Sequence, residues 1–189
     1  MRKAHARTAV TSDEALTDAG LVAACAAGDR VALGMLFERH VDAVFCFIRS
    51  MRGSDPAVLE DLVQATFVAA FEAAGRFAGA SVKSWLFGIA ANLVRGYARR
   101  ERRRKNALRL VQEASRGRYS GGGDAATIAR LPAAITALPH DLRAALVIID
   151  IEGERGVDAA AALGIPEGTL WRRLYVARQA LRAALGGES

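Results

Sequence analysis

The 189-residue chain has few of the residues that build metal sites, disulfide frameworks or sheets. Its two cysteines, Cys25 and Cys46, lie in apolar helical patterns and are predicted to be free thiols, and its three histidines are far apart. Neither a disulfide scaffold nor a zinc site is therefore expected, nor any other cofactor. Aromatic residues make up only 6% of the chain while alanine is abundant, which favours helices over sheets.

Long hydrophobic runs are also missing. Charged residues interrupt every apolar stretch well before the ~18 residues that a membrane-spanning helix needs. The basic N-terminus is not followed by an apolar core and a small-residue cleavage site, so a secretory signal is not predicted. These absences indicate a cytoplasmic protein without membrane insertion.

Positive charge is present but unevenly distributed. The net charge is +6 although the chain contains 20 Asp and Glu residues. Eight basic residues fall between Arg95 and Arg109 against the single acid Glu101, directly after an apolar segment that contains Phe77 and Trp85. A solvated helix end is the plain alternative, since arginine also suits a helix C-terminus. We favour nucleic-acid binding, because clustered arginines neutralise phosphates and release counterions.

Apolar residues recur at helical spacing through most of the chain, and no strand pattern is present. Asp29, Asp55 followed by Pro56, and Ser81 are predicted helix starts. We predict an all-α protein of two small helical domains, with a flexible N-terminal arm at residues 1–18, a helical domain at 19–105, a flexible linker at 106–127 and a second helical domain at 128–189.

The second domain contains the pattern of a helix-turn-helix unit. A short alanine-rich helix at Val157–Leu163 is followed by a turn at Gly164 and by a longer basic helix that starts near Pro166. The apolar stripe of that helix predicts five buried residues: Leu170, Leu174, Ala177, Leu181 and Leu185. Its other face is basic and aromatic, which suits a DNA major groove; a solvated amphipathic helix or a partner-binding helix is the alternative.

Several segments of the chain, in this order, resemble the extracytoplasmic-function (ECF) sigma factors of bacterial RNA polymerase. The match runs from about Leu21 to Leu185. The segments similar to family motifs are Glu60–Phe67 (E-D-x-x-Q-x-x-F), Arg76–Gly79 (R-F-x-G), Trp85–Asn92 (W-L-x-x-I-A-x-N), Leu138–Pro139, and Leu163–Leu170 with the following R-L, A-R and L-R pairs.

The resemblance implies a transcription initiation factor that binds core RNA polymerase and directs it to specific promoters. Core polymerase and promoter DNA are then its partners, with an anti-sigma factor as a further candidate. The N-terminal domain would contact the −10 element and the C-terminal helix-turn-helix the −35 element. The implied polymerase-binding residues are Glu60, Asp61, Gln64 and Phe67.

The implied DNA-contacting residues fall into two groups. Phe77 and Asn92 would hold an unstacked base, because an amide reads a base edge while a ring covers its face. Trp85 is predicted to be structural. The −10 group is Phe77, Asn92, Arg95, Arg99, Arg100 and Arg103; the −35 group is Thr169, Trp171, Arg172, Arg173 and Tyr175.

This chain departs from the family pattern at a few positions. Asp158, Ala159 and Ala160 form a smaller packing surface than the family's first helix of the motif. Other departures are Trp171 and Arg172 in the second helix of the motif, and Ala91 and Gly96 near the basic run.

Two alternatives belong to other function classes. A stand-alone helix-turn-helix regulator would bind DNA without polymerase and would not need the Glu60–Phe67 helix. An enzyme would need clustered acids for a metal or a nucleophile–base pair, and the sequence shows neither. We therefore do not predict an enzyme.

Overall fold

The computed structural model describes residues 17–53, 55–79, 81–112 and 130–186. These ranges are helical and contain no strand, which confirms the all-α prediction. The helices are α1 (Asp18–Ala26), α2 (Arg30–Arg52), α3 (Pro56–Ala73), α4 (Val82–Gln112), α5 (Arg130–Ala137), α6 (His140–Leu146), α7 (Gly156–Leu163) and α8 (Glu167–Leu185). A 3-10 turn at Ala74–Arg76 follows α3, and a π-helical turn at Val147–Ile151 continues α6.

The predicted arm and linker fall largely outside the described residues. Of the arm, only residues 17 and 18 are described, and α1 already begins at Asp18. The linker was expected to start at residue 106, but α4 continues to Gln112. That expectation was wrong for residues 106–112, because alanine, leucine, arginine and glutamine extend an already nucleated helix at little cost. The remainder of the predicted linker lies outside the described residues.

The helix starts that were predicted from capping residues are found in place, with one difference. The Asp29 carboxylate accepts from the Val31 N–H at 2.8 Å, and the Ser81 hydroxyl accepts from the Ser84 N–H at 3.0 Å. Asp55 stands at the N-cap of α3 but its side chain makes no capping hydrogen bond. There Pro56, at the first helical position, fixes the backbone instead.

The N-terminal domain packs α1 to α4 around two stacked rings. Phe47 of α2 and Phe87 of α4 are fully buried, with ring centroids 4.7 Å apart. On α3 the residues that face this core lie at helical spacing and are all buried: Leu59, Leu62, Val63, Phe67 and Ala70. The core therefore uses one face of α3 and leaves the opposite face to solvent.

The C-terminal domain places α8 across α5, α6 and α7. Leu170, Leu174 and Ala177 are buried as predicted, and Gly164 adopts the left-handed conformation (φ 65°) that ends α7. Leu181 is only partly buried and Leu185 is 41% exposed, so the prediction of a buried Leu185 was wrong. The small core of this domain does not extend to the last turn of α8.

The larger hydrophobic core of this structure contains residues of both domains, while a smaller cluster belongs to the C-terminal domain alone. Helix α4 packs against α7, and α2 packs against α5 and α6. Gly88 lies so close to α7 that an added Cβ would be 2.8 Å from the carbonyl carbon of Ala162. At the other end of the contact, the Arg143 guanidinium donates to the carbonyl oxygen of Met51. We call this arrangement of the two domains the closed arrangement.

Candidate polymerase and nucleic-acid interfaces

The exposed face of α3 carries the predicted polymerase-binding residues. Glu60 and Asp61 are exposed, as is Gln64 one turn further along, on the side of the helix that the core does not use. Phe67, assigned to the same group, is only 3% exposed and packs edge-to-face on Phe37, with 4.8 Å between ring centroids. It supports this surface from below and does not reach solvent.

Sequence reasoning missed two apolar residues that flank this acidic face. Phe37 on α2 is 37% exposed and Val68 on α3 is 55% exposed. Phe37 continues the apolar pattern of α2, so periodicity alone would place it in the core. The signal that could have found Val68 is its position four residues after Gln64, on the polar side of α3.

Two aromatic rings meet where the loop after α3 leads into α4. The ring centroids of Phe77 and Trp85 are 5.1 Å apart and tilted by 57°, and both residues are half-buried. Trp85 therefore has the packing role that was predicted for it. The Trp85 ring borders a cleft of about 480 Å³ whose other wall belongs to α7. The cleft is lined by Arg76, Ala78, Gly79, Ser81, Trp85, Arg155, Val157, Asp158, Ala161 and Ala162.

The predicted −10 residues on α4 share a helical face with Trp85. At 100° per residue, Trp85, Gly88, Asn92, Arg95 and Arg99 fall within less than a quarter of the helix circumference. We call this row the α4 stripe. Asn92 and Arg99 are exposed, while Arg95 donates to the Asp141 carboxylate on α6.

The basic end of α4 keeps most of its charge in solvent. Arg100 and Arg103 are exposed. The single acid of the run, Glu101, accepts from Arg52 at 2.7 Å and pairs with Lys105 at 3.0 Å. The hydrogen bond from Lys105 lowers the pKa of Glu101, and the charge of Arg52 lowers it further. Burial raises this pKa but has a smaller effect than the hydrogen bond. The acid thus remains charged and neutralises neither Arg100 nor Arg103.

The predicted −35 residues line the first two turns of α8, but they differ in accessibility. Arg172 is exposed, and Tyr175 is 64% exposed. Thr169 is half-buried. Arg173 is half-buried and pairs with Asp141 at 3.1 Å.

Trp171 has a structural role beside its predicted contact with DNA. Its ring is packed on Gly156 at the start of α7, where an added Cβ would lie 3.1 Å from Cε2 of the indole. Its Nε1–H donates to the Glu167 carboxylate at 3.1 Å. The ring therefore braces α8 against α7 and leaves only its outer part, 46% of the residue, exposed.

No group of three or more His, Cys, Asp or Glu side chains within the described ranges is arranged to hold a metal ion. No helix in those ranges is long and apolar enough to cross a membrane.

Comparisons with known proteins identify the class to which this fold and these surfaces belong. The family model described as Sigma-70 region 2 matches residues 36–104, and that described as Sigma-70, region 4 matches residues 128–181. The ECF RNA polymerase sigma factor SigM of Mycobacterium tuberculosis is 34% identical over 172 residues, which cover 90% of this chain and 85% of SigM.

Two solved structures are similar in fold. The structure of CnrH in complex with the cytosolic domain of CnrY has a TM-score of 0.65 and 31% identity, covering 91% of this chain and 99% of that one. RpoE of Bartonella quintana, in complex with the anti-sigma factor NepR, has a TM-score of 0.61 and 26% identity, covering 82% and 98%.

The chain belongs to the ECF RNA polymerase sigma factors. It is a transcription initiation factor that directs core RNA polymerase to promoters, and the names of its relatives imply a non-catalytic role. The alternative of a stand-alone helix-turn-helix regulator does not explain the match to Sigma-70 region 2, which includes the residues of the α3 surface.

Proposed function

We propose that the acidic face of α3 is the principal contact of this sigma factor with core polymerase. Glu60, Asp61 and Gln64 project from a helix whose other side is fixed in the core. No ion pair within the described ranges uses either carboxylate, so their charge remains available to a basic surface. The exposed parts of Phe37 and Val68 add apolar area beside them. Charged groups around an apolar centre are typical of a specific protein interface.

Promoter contacts are proposed on two further surfaces. The α4 stripe, with the Phe77 ring and the arginines that follow, would hold the −10 element; the amide of Asn92 and the ring of Phe77 suit an unpaired base. Arg172 and Tyr175 are the principal residues of the −35 surface because both are exposed, whereas Trp171 is packed on Gly156 and Arg173 is paired with Asp141. Arg173 would join them once it leaves Asp141. None of these roles requires catalytic chemistry, and we place the protein in the cytoplasm with polymerase.

An anti-sigma factor is proposed as a third partner. CnrH and RpoE, which have the same fold as this chain, were solved with the cytosolic domain of CnrY and with the anti-sigma factor NepR, respectively. An inhibitor that binds both domains would stabilise the closed arrangement at the expense of promoter contacts.

The proposed polymerase contact is tested by reversing one charge. Asp61→Arg is expected to weaken binding to core polymerase by about tenfold or more, because a like charge then faces the basic partner. Surface substitutions usually change folding stability by less than about 0.5 kcal/mol, so the melting temperature should stay within a few degrees. Affinity is measured by titrating labelled protein with core polymerase.

Asp42→Arg is the matched control for this experiment. Asp42 is an exposed acid on α2, its replacement changes the net charge equally, and it lies about 140° around that helix from Phe37. Its affinity for polymerase should stay near that of the unmodified chain. Equal affinities of the folded Asp61→Arg variant and the unmodified chain would remove α3 from the interface.

A further inference from the structure

We propose that a cavity between the two domains binds a small phosphorylated molecule that carries two or more negative charges. We call it the interdomain cavity. Its volume is about 600 Å³, which is within the range of small-molecule sites. The end of α2 and the middle of α4 form one wall, and α5, α6 and the turn between them form the other. The inference needs neither the polymerase contact nor the promoter contacts proposed above.

The charges that line the interdomain cavity do not balance. Four of the lining side chains are cationic and one is anionic: Arg52, Arg102, Lys105, Arg143 and Glu101. Glu101 accepts from Arg52 at 2.7 Å and pairs with Lys105 at 3.0 Å, so one carboxylate serves two cations. Within the described ranges no carboxylate pairs with Arg102 or Arg143. The lining therefore has a net charge of +3 with its histidine neutral, and a cleft of one sign concentrates ions of the other.

Arg143 is a half-buried cation without a carboxylate partner. Its guanidinium donates to three backbone carbonyls, that of Met51 in the N-terminal domain and those of Thr136 and Leu138 in the C-terminal domain. These carbonyls satisfy hydrogen bonds but do not cancel a full positive charge. Burial accordingly lowers the pKa of Arg143. An anion in the cavity would supply the counter-charge that the chain itself does not place there.

Unpartnered polar atoms are concentrated at the same cavity. In the part of the chain that the structure describes, three buried side-chain nitrogen atoms have no hydrogen-bond partner: Nε of Arg52, Nε of Arg143 and Nε2 of His140. All three residues line the interdomain cavity. Buried polar groups are nearly always paired, and an exception commonly marks the site of an ion or a water. Guanidinium nitrogens are donors and His140 becomes one when protonated, so the oxygens of a phosphate match this set.

The cavity is separate from the α4 face that we assign to DNA. At 100° per residue, the cavity residues of α4 are centred about 110° around the helix from the α4 stripe. Each phosphodiester of a nucleic acid carries about one negative charge, whereas a phosphate monoester carries about two. A lining with a net charge of +3, enclosed between two domains, therefore favours the small and more highly charged ligand. Met51, Val94 and Leu138 add apolar lining that suits an organic group attached to the phosphate.

The test titrates the full chain with inorganic pyrophosphate by calorimetry at pH 7.5, with the ionic strength held constant by sodium chloride. We expect saturable binding with 1:1 stoichiometry. The melting temperature should rise by several degrees, because a ligand that binds only the folded chain stabilises it. Dithymidine monophosphate, which contains a single phosphodiester, should bind at least about tenfold more weakly, since it has about one negative charge.

Two exposed arginines of α4 provide a matched pair of variants. Arg102→Gln and Arg104→Gln make the same charge change, but only Arg102 lines the cavity. Arg102→Gln should weaken pyrophosphate binding by about tenfold, because a charge-assisted contact with phosphate is lost. Arg104→Gln should leave the affinity within about twofold of that of the unmodified chain, since screening of a distant exposed charge is strong.

A variant of the opposite wall tests whether both domains contribute to the site. Arg143→Gln should abolish pyrophosphate binding, because it removes the only cation that the C-terminal domain places in the lining, among the residues described. Circular dichroism checks that this variant retains its helices. If it does not fold, the Arg102 and Arg104 variants decide the question alone.

Each outcome supports or overturns the proposal. Saturable binding that Arg102→Gln weakens and Arg104→Gln preserves supports it. The absence of a saturable signal beyond that of sodium chloride overturns it. Equal losses in Arg102→Gln and Arg104→Gln would show that pyrophosphate only screens the basic end of α4, which also overturns it. Equal affinities for pyrophosphate and dithymidine monophosphate would assign the cavity to a nucleic-acid backbone instead.

Discussion

Cutting the chain between Gly121 and Gly123 is expected to abolish promoter-specific initiation, even with both halves present in equal amounts. The two proposed DNA-contacting surfaces lie on different domains, and the proposal requires each to engage its own promoter element. A covalent tether supplies an effective concentration of about millimolar, whereas separate halves in an assay are micromolar or less. We therefore expect run-off transcript to fall by about a thousandfold.

The measurement uses a protease site inserted in the predicted linker, with core polymerase added before or after cleavage. The uncut insertion variant is the control, and it should initiate as well as the unmodified chain. Because the halves share a core in the closed arrangement, they should co-purify after cleavage and still fail to initiate once polymerase separates them. Full activity of the cleaved pair would show that one domain suffices, which contradicts two separated promoter contacts.

Acidification from pH 7.5 to pH 5 is expected to weaken the closed arrangement by on the order of thirtyfold. The responsible group is His140, the first residue of α6, whose Nε2 is buried without a hydrogen-bond partner. Burial lowers the pKa of His140 from 6.5 to about 4, and the nearby positive charges of Arg95 and Arg143 act in the same direction. The negative charge of Asp141 raises this pKa and so opposes them in part. His140 lines the interdomain cavity. The charged residues that share this cavity make it cationic overall: Arg52, Glu101, Arg102 and Lys105.

The direction of this pH effect follows from the protonation state of His140 that the interface between the domains accommodates. A neutral His140 fits the closed arrangement, and a protonated one favours separation of the domains, where its pKa returns toward 6.5. Closure is thus fully stabilised above pH 6.5 and loses that contribution as the pH falls toward about 4. Burial alone would raise the pKa of Glu154, but the hydrogen bonds from Ser84 and Ser81 lower it below its ordinary value of 4.5. The Glu154 carboxylate therefore keeps its full contribution to closure above pH 4.5.

The radius of gyration at pH 7.5, 6.5, 5.5 and 5 tests this expectation directly. His140→Gln keeps a neutral hydrogen-bonding side chain, so the variant should stay equally compact across the series. A pH dependence that persists unchanged in His140→Gln would assign the effect to another group.

The sequence was informative wherever one local pattern determined the structure. Asp29 and Ser81 cap helices because a short polar side chain reaches the free N–H groups of its own first turn. Gly164 ends α7 because only glycine adopts the left-handed conformation without cost. The polar and apolar sides of α3 likewise follow from spacing alone.

Contacts between distant segments had no such pattern. Lys83 meets Glu152, and Arg95 meets Asp141, across long stretches of chain, and nothing in either segment specifies the other. Trp171 had an unforeseen packing role because Gly156, its contact, lies on a different helix. Exposed Leu185 continues the apolar stripe of α8 beyond the domain core, where periodicity no longer reports burial.

Run-off transcription from genomic fragments, by core polymerase with and without this protein, tests the central claim most directly. The protein should produce discrete transcripts that core polymerase alone does not. Arg172→Ala should reduce them by about tenfold, since a bidentate arginine–base contact is worth ~1–3 kcal/mol. Arg178→Ala, which removes an arginine engaged by Asp150, should reduce them less. Selective binding of the free protein to the same fragments, with no transcript when polymerase is added, would contradict the account.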